Sequence, residues 1–104
     1  MLVVRNIGGL SDRQIAHAIG ATPSTVREWL AGRSVPTDLQ AERLAELSLL
    51  VERLARLLDA ISIPLWLNTP VPALGDDKPI DRIAAGDDRT VAQLISGLED
   101  PGAS

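Results

Sequence analysis

The stretch from Asp38 to Asp59 constrains the fold most, because it contains neither glycine nor proline. Thr37 precedes it and Gln40 follows three residues later, which is the capping-box pattern that begins an α-helix. Its apolar side chains recur every three or four residues, the spacing of one helix face. The stretch therefore predicts a long amphipathic helix over residues 37–62.

The apolar positions of this stretch form two neighbouring stripes rather than one. The first stripe consists of Leu44, Leu47, Val51, Leu54 and Leu58, and the second of Leu50, Leu57 and Ile61. One small core rarely covers so wide a face, and a soluble monomer rarely leaves it exposed. We expect the surplus to form a homodimer interface through Leu50, Leu54, Leu57 and Ile61.

The residues before this stretch predict two short helices joined by a tight turn. Ser11 and Gln14 form a second capping box, Gly20 suits a helix end, and Thr22-Pro23 suits the next helix start. The spacing of small and apolar residues across the turn is that of a helix-turn-helix, whose second helix enters the major groove of DNA. A plain helical hairpin has the same spacing. The residues expected to contact bases or phosphates are Ser24, Thr25, Arg27, Arg33 and Arg13.

Charge divides the chain into two parts. Its net charge is −4, yet residues 1–36 carry four arginines against two carboxylates, whereas residues 37–104 carry six basic and twelve acidic side chains. The field that a partner meets is local. The positive front, residues 1–36, therefore fits double-stranded DNA, and the acidic back fits a different partner.

Composition excludes several classes of function. The chain has no cysteine and one histidine, His17, so disulfides, multi-histidine metal sites and a nucleophile paired with a base are not expected. We predict no enzyme activity, no metal and no cofactor. No apolar run has the length of a membrane span, and the first residues do not form a signal peptide. The cytoplasm is the expected location.

Residues 63–104 have a different texture. Four prolines lie between Ile63 and Ile80, around a single tryptophan, Trp66, which fits either a core residue or a partner anchor. A short helix is predicted to begin at Lys78-Pro79, and a last helix at Asp87, whose carboxylate favours a helix N-terminus. That helix ends in Leu98-Glu99-Asp100, before a tail over 101–104 that we expect to be disordered.

Together these motifs resemble the Xre/MbcA/ParS family of antitoxins, the partners of RES-domain toxins. Residues 10–36 resemble an Xre-type helix-turn-helix. The more specific part is the segment that contains Trp66-Leu67-Asn68-Thr69-Pro70, Pro72-Ala73-Leu74-Gly75 and Lys78-Pro79, which is similar to the toxin-binding domain of the family. The resemblance covers residues 10–98.

The resemblance implies an all-α fold in which an Xre-like domain (1–36) and a small toxin-binding domain (63–104) are joined by the long helix (37–62). It implies an antitoxin that occludes the active site of a NAD-consuming toxin and represses its own promoter. We expect Trp66, Leu98, Glu99 and Asp100 to contact the toxin. The inhibitory element is either the C-terminal tip or the segment from Trp66 to Leu74.

The chain departs from the family at its start. Xre-type domains have a substantial helix before the helix pair, whereas only ten residues precede Ser11 here, and Gly8-Gly9 interrupts them. We therefore expect a short or degenerate first helix, which weakens the case for DNA binding. The alternative function is a stand-alone dimeric helix-turn-helix regulator.

Overall fold

The structure is a computed structural model that describes residues 3–100. A π-helical turn, Val3–Ile7, is followed by α1 (Asp12–Ile19), α2 (Pro23–Leu30), α3 (Asp38–Ala55) and α4 (Ser62–Leu67). A 3₁₀ turn (Pro72–Leu74), α5 (Pro79–Ala84) and α6 (Asp88–Glu99) complete the described range. No strand runs through this range; Val71 and Asp77 form a single antiparallel bridge. The all-α prediction is confirmed.

Local sequence signals set the helix starts as predicted. In α1 the Ser11 hydroxyl accepts from the Gln14 backbone N–H, and the Gln14 side chain accepts from the Ser11 N–H. Thr37 and Gln40 repeat the arrangement at α3. Each box satisfies two of the backbone donors that a helix start leaves open.

The long helix is shorter than the sequence predicted. It ends at Ala55 rather than near residue 59 or 62, and the Arg56 and Leu57 N–H groups bond to carbonyls three residues back. This tighter turn brings Leu58 against the core. A separate helix, α4, begins at Ser62, and the proline pattern had concealed it. Pro64 stands in the first turn of α4, where its missing N–H has no intrahelical partner to lose.

One hydrophobic core unites all three parts of the chain. It includes Ile15 and Ile19 of α1, Leu47 of α3 and Ile95 of α6, each at most 2% exposed. Helix α1 packs against α5 as well as against α2 and α3. Arg43 of α3 reinforces this meeting point, because its Nη2 lies 3.3 Å from the Ala18 carbonyl oxygen and 2.7 Å from that of Ile83. The C-terminal ends of α1 and α5 thus share one cation.

The five-residue π-helical turn Val3–Ile7 is the short first helix that the sequence predicted, and it packs on α3. Gly8 makes this packing possible: a Cβ at Gly8 would lie 2.7 Å from the Val4 carbonyl oxygen and 3.0 Å from Cγ1 of Val51. The backbone at Gly8 therefore lies so close to Val51 of α3 and to the Val4 carbonyl that residue 8 has no room for a side chain.

Candidate functional site

The α1–α2 pair has the compact geometry that the spacing predicted. Gly20 ends α1 with φ 74°, a left-handed conformation that glycine adopts without steric cost, and the Ala21 N–H donates to the Ala16 carbonyl at 2.9 Å. Ala16 and Val26 are buried where the two helices meet. The indole of Trp29 is partly buried against the core, whereas its neighbour Leu30 is 37% exposed.

The polar residues predicted on α2 are only partly brought together. Ser24 and Arg27 are exposed, and Arg27 Nη2 lies 3.5 Å from Ser24 Oγ. Thr25 is half-buried, and its hydroxyl is 2.9 Å from that of Thr22. Arg33 lies beyond the end of α2 and Arg13 lies on α1; both are exposed.

A shallow pocket of about 600 Å³ joins some of these residues to others that the sequence did not single out. Three arginines line it together with two carboxylates, one hydroxyl and two apolar side chains: Arg5, Arg27, Arg33, Asp12, Glu28, Ser24, Leu30 and Ala31. Arg13 and Thr25 are not among the lining residues. Arg5 was not assigned to this site from the sequence because Arg5 precedes the helix pair. The π-helical turn places Arg5 in contact with Asp12 at the start of α1.

The C-terminal tip is held to α3 rather than free. Nε and Nη2 of Arg53 donate to Glu99 at 3.2 and 2.5 Å, and Nη2 also donates to Ser96 Oγ at 2.9 Å. The Arg53 hydrogen bond lowers the pKa of Glu99 below its ordinary value. Of the three tip residues expected to contact a partner, Glu99 is therefore already engaged. Leu98 is 47% exposed and Asp100 is exposed.

The segment around Trp66 offers a second apolar surface. Trp66 is partly buried against the core, while its neighbour Leu65 is 62% exposed. Both alternatives for Trp66, core residue and partner anchor, are thus compatible with its position. Arg82 fastens the following chain, since it donates to the Leu74 carbonyl and to the carboxylates of Asp77 and Asp87 at 2.8 to 2.9 Å. Asp77 and Asp87, which flank α5, are therefore both paired with Arg82.

Two of the four residues expected in a dimer interface are not available for it. Leu50 is 5% exposed and Leu54 is fully buried, both in the core of their own chain. The prediction that Leu50 and Leu54 form a dimer interface is therefore wrong. The π-helical turn, α4 and α6 cover the apolar face of α3, which was predicted from the sequence to be too wide for one core. Leu57 is 38% exposed and Ile61 is 79% exposed. These two remain on the surface.

The described residues offer no site for catalysis by a metal. Within residues 3–100, no group of three or more histidine, aspartate or glutamate side chains is placed to hold an ion. His17 lies 2.7 Å from Asp81, which links α1 to α5, and both are about half exposed. In the same range, every helix is too short or too polar to cross a membrane. The tail at 101–104 lies outside the described residues.

Comparison with known proteins identifies the class. No protein-family model matches the chain. The mycobacterial cidal antitoxin MbcA of Mycobacterium tuberculosis and that of Mycobacterium bovis are each 31% identical to it over 90 residues, which is 86% of this chain and 80% of the relative. A chain in the crystal structure of the M. tuberculosis MbcT–MbcA toxin–antitoxin complex superposes with a TM-score of 0.84 and 28% identity, covering 96% of this chain and 89% of that one.

The fold and the sequence together define an antitoxin of a toxin–antitoxin pair. The chain belongs to the MbcA family of antitoxins, as its motifs predicted.

Proposed function

We propose that this antitoxin binds a cognate RES-type, NAD-consuming toxin in the cytoplasm and neutralises it by occluding the active site. The observation that carries the proposal is the likeness along 96% of the chain to a structure of a toxin–antitoxin complex. The likeness extends through α4 and α6, the elements that carry Trp66 and Leu98. The antitoxin acts by binding rather than by catalysis.

The tip of α6 is the preferred inhibitory element. Leu98 is an exposed apolar side chain at the last turn, and Asp100 adds an exposed negative charge at the C-cap position. A pocket that accepts the phosphates of NAD needs cationic groups, which an acidic tip complements. Leu98 is 47% exposed, so burying the rest of its side chain adds about half of the roughly 1.5–3 kcal/mol that full burial of a leucine contributes. The tip therefore combines charge complementarity with an apolar anchor.

Co-expression with the toxin encoded beside the antitoxin tests the proposal. Leu98→Arg places a cation against the expected basic pocket and should abolish protection, measured as cell growth and cellular NAD. Leu49→Arg is the matched control, since Leu49 is 60% exposed on α3, and it should protect fully. If Leu98→Arg protects and Ala73→Arg, at an exposed position of the segment from Trp66 to Leu74, does not, that segment is the inhibitory element. If wild-type antitoxin neither co-purifies with the toxin nor restores NAD, the proposed function is wrong.

We further propose that the α1–α2 pair is a helix-turn-helix that binds the antitoxin's own promoter as a homodimer. Exposed Ser24 and Arg27 on α2 can contact base edges, while Arg33 and Arg13 suit phosphates. Leu57 and Ile61 supply an exposed apolar surface for a second copy, and dimers of such motifs bind paired half-sites.

The arginines around α2 also support the second candidate, a stand-alone dimeric regulator. That function requires promoter binding without any toxin partner. The stand-alone regulator is favoured if the protein binds its own promoter tightly but does not co-purify with the protein that is encoded beside it.

A further inference from the structure

Asp12 occupies the arginine-lined pocket beside α2. One carboxylate oxygen contacts Arg5 Nη1, and the other lies 4.0 Å from Arg27 Nη1. The Asp12 side chain is only 20% exposed, whereas those of Arg5 and Arg27 are 40% and 61% exposed. The Asp12 side chain is therefore less accessible to a ligand than the two arginine side chains beside it.

We propose that this pocket is a site for a backbone phosphate of duplex DNA and that Asp12 is an internal anion that weakens it. The inference rests on the proposed DNA binding. Guanidinium groups bind carboxylate and phosphate through the same parallel pair of hydrogen bonds, so a phosphate competes with Asp12 for Arg5, whereas Arg27, whose Nη1 lies 4.0 Å from Asp12, stays available for a base edge. Arg33 and the Ser24 hydroxyl line the same pocket and add donors to it.

The position of the pocket favours a DNA phosphate over a free one. Ser24 and Arg27 belong to α2, the helix expected in the major groove, and the phosphates of both strands border that groove. The N-terminus of α1, an eight-residue helix beginning at Asp12, adds the positive end of its dipole. A free phosphate ion would contact only the pocket residues and the N-terminus of α1. A phosphate of a DNA duplex would make the same contacts while the rest of the duplex contacts α2.

Asp12 lowers DNA affinity in two ways. It neutralises Arg5, which then contributes less to phosphate binding, and it repels any phosphate that enters the pocket. Removing its charge should therefore tighten binding, although an aspartate in the first turn normally stabilises a helix. We expect Asp12→Asn to bind duplex DNA about 3- to 10-fold more tightly at low salt. One added phosphate contact steepens the dependence of log affinity on log salt by about 0.9.

The experiment measures fluorescence anisotropy of the promoter duplex and of a random duplex over a salt series. Asp38→Asn is the matched control, because Asp38 is the first residue of α3 and follows Thr37 of a capping box as Asp12 follows Ser11. It loses the same helix-dipole interaction and should bind as wild type does. Arg5→Ala in the Asp12→Asn background should remove the gain.

The proposal is supported if Asp12→Asn, but not Asp38→Asn, binds both duplexes more tightly than wild type, and if adding Arg5→Ala to Asp12→Asn abolishes this increase in affinity. If wild type binds DNA and Asp12→Asn binds no better, the masking role is wrong while promoter binding stands. If neither protein binds duplex at low salt, both proposals fail. A last outcome is that inorganic phosphate displaces the duplex from Asp12→Asn at the same phosphate concentration that saturates the pocket. If the duplex also binds no more tightly than phosphate does, the pocket is a site for small anions, and its assignment to a DNA phosphate is overturned.

Discussion

The guanidinium of Arg53 holds both carboxylate oxygens of Glu99, with Nη2 at 2.5 Å from Oε1 and Nε at 3.2 Å from Oε2. Because Arg53 lies near the end of α3 and Glu99 at the end of α6, this pair fixes the last turn of α6. The same arginine donates to Ser96, one turn earlier. Leu98 is therefore presented from a fastened turn, which lowers the entropy that its binding would cost.

The Arg53–Glu99 pair should make stability depend on pH in the acid range. Arg53 lowers the pKa of Glu99 below its ordinary 4.5, so the folded state favours the ionised carboxylate. Its stabilising contribution is then complete above about pH 4.5 and is lost as the pH falls through the lowered pKa. Glu99→Gln should unfold at lower urea concentration than wild type at pH 7, and the difference should shrink towards pH 3.

Glu46 provides a control of opposite sign. Burial and then the nearby Asp88 raise the pKa of Glu46, so its ionised form destabilises the folded state at neutral pH. Glu46→Gln should therefore be slightly more stable than wild type at pH 7 and equal to it below pH 4.5. Equal pH profiles for the two variants would contradict the role of Arg53.

Arg43→Met should destabilise the whole fold. Nη2 of Arg43 lies within 3.3 Å of the carbonyl oxygens of Ala18, Ile83 and Ala84, and methionine keeps the apolar stem without the donors. Hydrogen bonds from a charged group contribute about 1.5–3 kcal/mol, which sets the expected loss in free energy of unfolding. Arg89→Met, at an exposed position of α6, should change it by less than about 0.5 kcal/mol. Similar losses in both variants would show that Arg43 has no special role.

Gly8→Ala and Gly97→Ala should shift stability in opposite directions. The new Cβ at residue 8 would lie 2.7 Å from the Val4 carbonyl oxygen, whereas no atom lies within 4 Å of one at residue 97. Overpacking costs about 1–3 kcal/mol, and alanine for glycine inside a helix such as α6 gains about 0.5–1 kcal/mol. Thermal unfolding of both variants checks this. A Gly8→Ala protein as stable as wild type would mean that the π-helical turn does not pack on α3 as described.

Arg27 and Arg33 should differ in how they affect DNA binding. Arg27→Ala should weaken binding to the promoter by about 1–3 kcal/mol relative to random duplex, because arginine can read guanine through two hydrogen bonds. Arg33→Ala should weaken both duplexes alike and flatten the salt dependence by about one unit. Titrations of both duplexes at several salt concentrations measure the two effects. Wild-type protein that binds both duplexes equally would contradict sequence-specific recognition.

Ile61→Glu should convert a dimer into a folded monomer. Ile61 is 79% exposed, so the chain's own core loses nothing when it becomes charged, while an apolar interface would have to bury the carboxylate. Leu49→Glu is the control at an exposed leucine on α3. Sedimentation at micromolar concentration reports the oligomeric state, and circular dichroism reports folding. A wild-type protein that sediments as a monomer would rule out the homodimer.

The helix starts could be predicted from the sequence because they depend on local interactions. The long-range contacts could not be predicted. Ser11 with Gln14 and Thr37 with Gln40 act within one turn, so their spacing in sequence is already their geometry. The partners of Arg43, Arg53 and His17 stand 25 to 64 residues away, and nothing in the residue types selects them. Leu50 and Leu54 were assigned to a dimer because periodicity shows which side chains share a face, but not which element covers that face.

The packing of α1 on α5 has a consequence for the chain as it is synthesised. The ribosome releases residues 12–19 long before residues 79–84, so the front half cannot complete its core until most of the protein has emerged. Contacts of such sequence separation form late because the intervening loop must first close. A single proteolytic cut between α4 and α5 would break the covalent link between α1 and α5, and degradation of either fragment would leave the shared core incomplete. The proposed promoter binding and the proposed toxin binding would then be lost together, so degradation of the antitoxin would act on both at once.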